Sequence, residues 1–553
     1  MIFNGYCLLK FKIKNMRKII ATFIAVLLTI NVFALDVWDG TASPWTQGDG
    51  TINDPYLIET AENLAYLAQK VNEGYQAQGM EVFKGVYFLM TDDLDLNNIN
   101  WTPIGNINMS MQGYYFAGVF DGWYHSIDHL KIQTNADVCG LFAGLGGYKE
   151  SSLDDAGIVR HLYVTNGNIT STGTGVGGIV GAVAGDGRID QCSFYGTISI
   201  SNSGSFCGAG GIVAAAAENS VIIQCSFHGS ITASNSSFTG AAGAGGIVGL
   251  AMNQAWIESC YNTGNVTGSA LLLSVAAGIV GATLQENNIT IYGCYNIGTV
   301  NANTKGGIFG MISPINPTKD ETEMTVTNCC YLNTCGGTTN YGTSMTSAQM
   351  QTEEFVEQLN DYTWLRHNFV MDNGTNNGYP INTMSGFIVN EATDVTNHTA
   401  TISAEIHQGN DSFTGAYFTI YKEGSSDEIQ VEIGTDGHVE AQLEDLDDDT
   451  TYSYFLHIDC ADGAYLSSGT PHYFVTEVDG INEISNNGIK FYPNPTSDFI
   501  FIENIEPQSI TIYSLDGKMI KTVEGTNIVD VRDLDKGVYL INIDGATQRI
   551  VIN

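Results

Sequence analysis

The sequence predicts an all-β protein: a parallel β-helix, or β-solenoid, with short capping helices, followed by two small β-sandwich domains. Three observations carry that expectation. A unit of about 34 residues recurs through the middle of the chain. The units combine Gly and Asn turns with β-branched residues, whereas helical repeats would carry Leu, Glu and Lys runs. Beyond residue 386 the Gly-rich texture gives way to alternating strands such as those around Thr399–Ile406 and Ala416–Tyr421.

Four copies of the repeat align as Ile-x-x-Cys-x-x-x-Gly-x-(Ile/Val). They begin at Ile189 (Cys192, Gly196, Ile198), Ile222 (Cys225, Gly229, Ile231), Ile257 (Cys260, Gly264, Val266) and Ile291 (Cys294, Gly298, Val300). The cysteines fall 33, 35 and 34 residues apart, and a degenerate copy follows at Val326, Cys329, Cys330 and Tyr331. A second signature precedes each copy: Gly178-Ile-Val-Gly181, Gly211-Ile-Val-Ala214, Gly246-Ile-Val-Gly249, Gly278-Ile-Val-Gly281 and Gly307-Ile-Phe-Gly310. Gly140-Leu-Phe-Ala143 is an earlier, weaker version. Short strands at this spacing describe coils that stack, placing the Ile, Cys and Phe of one copy over those of the next. The glycines bound each strand where the chain turns sharply or approaches its neighbour.

Open solenoid ends template aggregation, so caps are expected. Residues near 60–72 read as an amphipathic helix with Thr60 as N-cap and a stripe of Leu64, Leu67, Ala68 and Val71. Residues 347–360 read as a second, with Phe355 and Leu359 on one face, leading into Trp364 and the turn Asn377-Gly378-Tyr379-Pro380.

The N-terminus reads as a secretory signal over residues 1–34. Arg17 and Lys18 precede an apolar run from Ile19 to Phe33, with cleavage expected after Ala34 and Met16 as the true start. The run is short for a membrane span, and no later run has that length, so no span is expected in the mature chain. The formal net charge is −38, with 59 acids against 21 bases. Such a field disfavours nucleic acid and anionic lipid as partners. At 43% hydrophobic residues the chain is nonetheless expected to fold.

The GIVG and Cys-x-x-x-Gly signatures resemble the GLUG-motif family of bacterial surface proteins. Gly48-Asp-Gly-Thr51, Asp54-Pro-Tyr56, the coil at Phe120-Asp-Gly122 with His125 and Ile127, and the closing Asn-Gly-Tyr-Pro are similar to the same family. The resemblance covers about 48–383, within a solenoid domain placed at 35–383. It implies a β-solenoid fold and a surface or adhesive role, and such repeats also accompany immunoglobulin-degrading proteases. Residues 386–477 resemble a fibronectin type III module: Leu446 would plug the sandwich and Tyr452 would supply a tyrosine-corner hydroxyl, although Ala404 stands near the usual Trp.

The last segment, 488–553, carries Phe491-Tyr492-Pro493-Asn494-Pro495, then Ile510–Tyr513 with Gly517, then Gly537 and Tyr539. Together these resemble the sorting domain of type IX secretion substrates. The resemblance implies that Tyr492, Pro493, Asn494, Pro495, Gly517, Gly537 and Tyr539 form the signal that the type IX secretion machinery reads. The domain would be removed there, and the rest released or attached to the outer surface.

Catalytic signatures are scarce. No His-Glu-x-x-His, Gly-x-Ser-x-Gly or phosphate-loop motif occurs, and no catalytic or metal-ligating residue is assigned. The recurring cysteines suit a stacked ladder of buried thiols, with disulfides as the alternative and Cys329, Cys330 and Cys335 as the one cluster inviting a bridge. No cofactor is expected, with structural calcium open at Asp92, Asp93 and Asp95 or at Asp445 and Asp447–Asp449. Asp154 and Asp155 with Arg160 and His161 are the best catalytic constellation, and also the ordinary composition of a solvated loop.

A ligand face is expected where the variable segments share one phase of the repeat. That row carries Phe206, Phe238 and Leu272, which either project for a glycan or protein or tuck back onto the wall. The reading is an exported, non-catalytic binding or adhesion protein of the cell surface, whose partner is a surface glycan or a host or microbial protein. The alternatives are a polysaccharide lyase or glycosidase, and a structural surface-layer component.

Overall fold

Short β-branched runs separated by glycine do wind into coils. The computed structural model describes residues 38–552, apart from 148–155, 284–287, 313–323, 362–367, 373, 424, 426–427, 462–464, 469–470, 478–489, 493–495, 504–506, 516 and 545. The expected signal at 1–34, with Ala34, lies outside the described residues. A parallel β-solenoid of about eight turns is followed by small sheet domains.

One coil shows the plan. Phe206–Gly210 lies on wall B, Val213–Ala216 on wall C, and Val221–Ile223 with Ser226–Asn235 on wall A. The next coil repeats it in register: Cys207 pairs Ala242, Val213 pairs Val248, Ile222 pairs Ile257, and Ile231 pairs Val266. Every second residue points inward, so Ile189, Ile222, Ile257 and Ile291 are fully buried one above another, as are Cys192, Cys225, Cys260 and Cys294.

The sharp corner of each coil is made by the residue just before the ladder position, which is Leu162 in the first of these coils and cysteine in the rest. His161, Gln191, Gln224, Ser259, Gly293 and Asn328 all have φ between 50° and 58°. Only one of the six is glycine. The repeat glycines serve a different need, which is close approach. A Cβ on Gly211 would sit 2.0 Å from the Gly246 carbonyl oxygen and 2.4 Å from the Phe227 ring, and Gly178, Gly246 and Gly278 are crowded in the same way. The ring or amide two residues after each cysteine therefore packs flat on a glycine. Phe194 and Phe227 stack at 15°. In the next two coils buried Asn262 and Asn296 replace the rings, linked by a 2.7 Å amide hydrogen bond, and each is closed onto its own turn glycine.

The nine described cysteines of the solenoid region, Cys139 to Cys335, are free thiols and buried, and Cys460 is buried in the sandwich. In the ladder each thiol donates to the carbonyl two residues upstream, across the corner, at 3.2–3.3 Å. Burial pushes the Cys192, Cys260 and Cys329 thiols well above their usual range, and Cys139 up to about 12. The native chain should therefore take up no maleimide on these nine residues, and all nine should react in guanidinium without reductant. Labelling followed by mass spectrometry checks this; missing additions in the unreduced, unfolded chain would mean disulfides.

Helix α1 (Ala61–Gln78) closes the N-terminal end, running past the expected 60–72. Leu64, Leu67 and Val71 are fully buried in the solenoid core, and the Thr60 hydroxyl accepts from the Asn63 amide. The far end differs from expectation. Residues 347–360 form two helices, α2 (Ser347–Met350) and α3 (Glu353–Asn360), because Thr352 breaks the run and N-caps the second. They do not cap the end. Phe355 and Leu359 pack on the side of the solenoid against Tyr261 and Tyr295, the outward rings that follow Cys260 and Cys294. The end itself is covered by residues 335–345: Tyr341 meets Phe309 edge-on at 5.0 Å, and Thr343–Met345 pairs with Cys330–Leu332.

From α3 the chain runs back along the corner column as a strap. Gln358 bonds Asn328, Asn368 and Asn382 bond Ser259, and Thr383 accepts from Gln224. It ends where Tyr124 stacks on His407 at 4.0 Å. A sandwich of a three-stranded and a five-stranded sheet follows, from Gly386 to Val475. Leu446 is buried in its core, and the Tyr452 hydroxyl accepts from the Asp447 amide at 2.9 Å. The last sheets, Lys490–Ile552, enclose a separate core of Ile and Val residues that includes Ile500, Ile512, Val529 and Ile541.

Candidate ligand-binding face

The three residues expected on one edge part company. Phe238 projects at 86% exposure, and Leu272 at 61% beside Leu271 at 63%. They stand on successive coils, just beyond Asn235 and its register partner Ala270. Phe206 is half-buried and tucks back, its ring lying within 3.1–3.6 Å of where Gly208 and Gly243 would carry a Cβ. The exposed apolar row thus holds Phe238, Leu271 and Leu272.

The outer face of wall A leads directly into this edge. Its columns read Asn168, Thr197, Ser230, Asn265, Thr299, then Thr170, Ser199, Thr232, Thr267, Asn301, then Ser201, Ser234, Ser269. None of these is charged. Their inward neighbours Ile169, Ile198, Ile231, Val266 and Val300 are buried, which holds the face flat. Sequence reasoning passed over these residues, yet the signal was present: the variable residue in Gly-x-(Ile/Val) is Thr, Ser, Asn and Thr in the four copies. On the corner side of the face stands Tyr195, 38% exposed and stacked on His228 at 3° and 4.2 Å. Burial lowers His228 to about 4, so the ring is neutral, with hydrogen bonds to Ser226 and Thr263.

Charge gathers on the other part of wall A. Asp121, Arg160, Asp190, Ile223 and Glu258 follow one another on successive coils. Arg160 and His161 were expected beside Asp154 and Asp155, which lie outside the described residues. Both instead bond buried Asp121, at 2.7 and 2.9 Å. Burial opposes ionisation of Asp121, but the His161 and Arg160 contacts with the Trp123 amide hydrogen bond outweigh it and hold the pKa well below the carboxylate range. Arg188 pairs with Asp190 at 2.6 Å. Burial raises Glu258, against a 2.7 Å hydrogen bond from the Trp256 indole.

Of the acids weighed for calcium, Asp95 lies with Asp128 and His129 in a group whose ligand atoms are within 4.8 Å of one another. An imidazole is a poor partner for that hard cation, and His129 already bonds both carboxylates. Asp93 is held by Ser126, and Asp447 pairs with Lys422. Two cavities stand apart from the exposed edge. One, about 390 Å³, lies under α1 beside Trp38 and Trp101; the other, about 810 Å³, lies between α3 and the sandwich.

Of the expected sorting residues, Tyr492 ends the strand Lys490–Tyr492, and Pro493, Asn494 and Pro495 lie outside the described residues. Gly517 has φ 80° in a tight turn. The Tyr539 hydroxyl donates to the Asp535 carbonyl at 2.9 Å, bracing the turn that ends at Gly537.

Residues 490–553 match the secretion system C-terminal sorting domain family. A protein of Evansella cellulosilytica described as a Gly-rich membrane protein is 32% identical over 186 residues, covering 32% of this chain and 19% of that protein. The chain thus spans about a fifth of that relative's length. Among solved structures, the long form of the sensor domain of the anti-sigma factor RsgI4 of Pseudobacteroides cellulosolvens matches at 19% identity and TM-score 0.15, covering 18% of this chain and 97% of that one. Its short form matches at 15% and 0.13, covering 17% and 95%. The sorting domain makes this a secreted or cell-surface protein handled by the type IX secretion machinery. No helix among the described residues is long and apolar enough to cross a membrane.

Proposed function

We propose that the chain is a surface-displayed binding or adhesion protein, in which the solenoid (35–383) presents a ligand face, a fibronectin type III-like module (386–477) acts as spacer, and the terminal domain (488–553) directs export. The GLUG-motif resemblance supports the solenoid's role, and the buried Leu446 and Tyr452 contacts support the module's. The observation that carries the reading is the row of Phe238, Leu271 and Leu272, each more than half exposed on neighbouring coils. Aligned apolar side chains in water are unfavourable unless a partner covers them. The full chain should bind in an array of glycans and surface proteins. Replacing the row by Phe238→Ser, Leu271→Ser and Leu272→Ser should weaken that binding at least about thirtyfold, roughly 2 kcal/mol, with no change in melting. Unchanged binding by the triple variant would remove the edge from the reading.

A second reading, a polysaccharide-degrading enzyme, draws on the Asp121–Arg160–Asp190–Glu258 column. Glu258 is held above its usual range beside Trp256, as a general acid flanked by a sugar platform would be. Release of sugar ends from a polysaccharide panel, lost in Glu258→Gln, would favour it over the binder.

A further inference from the structure

We infer that the uncharged part of the outer face of wall A, the columns from Asn168 to Asn301, is a binding surface for a neutral, polyhydroxylated polymer, a polysaccharide without acidic sugars. The inference rests on the surface-binding reading and names its ligand class.

The chain carries 59 acids and 21 bases, yet its three outward columns from Asn168 to Asn301 hold Ser, Thr and Asn alone. Lys131 stands at the first-coil margin of the face. This is not how the chain treats exposed strands in general, since Glu405, Glu432 and Glu440 occupy solvent positions in the sandwich. A basic partner would gain more from those acids, and the overall field repels an acidic polymer. A partner matched to a neutral face is itself neutral.

The columns also form a hydrogen-bonding grid. Coils repeat at about 4.8 Å and alternate residues along a strand at about 6.7 Å. In-register pairing of Thr170, Ser199, Thr232 and Thr267 keeps one hydroxyl column straight. Among the described residues, none of these four side chains makes a hydrogen bond to the protein. Each hydroxyl can both donate and accept, which is the property a sugar hydroxyl requires of its partner. A buried Ile and Val layer fixes the platform beneath, so little side-chain freedom is lost on binding.

The grid has aromatic and aliphatic borders. Tyr195, flat on His228, stands on one side of the grid, and Phe238, Leu271 and Leu272 stand on the other. Apolar faces beside a hydroxyl field suit the mixed C–H and O–H surface of a sugar chain. Pairing with a second copy is less suited, because two such faces would bury little apolar area.

The test uses the full chain with insoluble cellulose, mannan and chitin as neutral polymers and alginate as the acidic control. Two wall variants are compared with the edge variant above. One carries Ser199→Glu, Thr232→Glu and Thr267→Glu. The other carries Thr170→Val, Thr232→Val and Thr267→Val, which keeps strand propensity and removes hydroxyls. The expected result is retention on at least one neutral polymer, equal at low salt and at roughly 0.5 M salt. Both wall variants should weaken it by at least about tenfold with unchanged melting. Retention only on alginate, or wall variants retained like the parent, overturns the inference. If the edge variant alone loses binding, the surface-binding reading stands without the wall. If no polymer or protein is bound at all, both fall. Self-association abolished by the wall variants, without polymer retention, would assign the face to a second copy and overturn the inference.

Discussion

Replacing Gly211 by valine should leave the solenoid unable to stack, and the full chain should lose most of its sheet signal and its resistance to protease. The site has no slack. A Cβ there meets the Gly246 carbonyl oxygen at 2.0 Å on one side and the Phe227 ring at 2.4 Å on another. Neither neighbour can yield. The carbonyl belongs to the next coil, where Gly246 is crowded in turn by the Gly278 oxygen at 2.0 Å, and the ring is fully buried against Phe194. Separating two coils at one column also strains the ladders beside it, so the loss should exceed about 4 kcal/mol, beyond the range of ordinary substitutions. Gly243→Ala is the control. It lies in the neighbouring coil, has the Phe206 ring no nearer than 3.6 Å, and should change stability by less than about 1 kcal/mol. Circular dichroism and limited proteolysis of both variants read the difference. A Gly211→Val chain that melts like the parent would mean that the coils do not stack at that column.

That contrast also shows which part of the fold was legible. Spacing alone located the coils, since Cys192, Cys225, Cys260 and Cys294 return at one register and one depth. The purpose of the glycines was only half legible. The sequence suggested turns and close approach alike. The turns fall on His161, Gln191, Gln224, Ser259 and Asn328, residues that no composition rule singles out for a left-handed corner. The strap was hidden for a related reason: Asn368, Asn382 and Thr383 find their corner partners more than a hundred residues upstream, and nothing local announces that pairing. The far-end helices went to the solenoid's side because Tyr261 and Tyr295 turn their rings outward and need cover. Periodicity marks those positions as outward but not as apolar.

The candidate face was legible to a similar degree. Equal phase of the variable segments placed Phe238 and Leu272 on one edge, but could not separate them from Phe206, whose ring has a glycine floor to lie on. The hydroxyl columns were written in the repeat at Thr197, Ser230, Asn265 and Thr299, and read as ordinary strand polarity. Their meaning depends on the absence of charge over three neighbouring columns of one wall, which appears only once the coils are set side by side. The Asp121 group was likewise out of reach, because its partners Arg160 and His161 belong to the next coil.

Removing the terminal domain should abolish surface delivery while leaving the rest of the chain folded. A chain ending near residue 485 keeps the solenoid core and the sandwich core intact, for neither shares a residue with the Ile and Val core of the last sheets. The truncated chain should therefore resist protease over 38–477 as the parent does, and should accumulate inside the outer membrane with no detectable surface fraction. Fractionation with surface protease treatment measures this. The family match to 490–553 places the address in that domain. Loss of delivery with folding preserved separates an address from a structural prop. Tyr539→Phe refines the point: it removes the hydroxyl that braces the turn at Asp535 and should weaken the domain by about 1 kcal/mol. Delivery that survives this change but not truncation would mean that the machinery reads the folded surface rather than that one bond. A truncated chain that still reaches the outside would place the address elsewhere in the sequence.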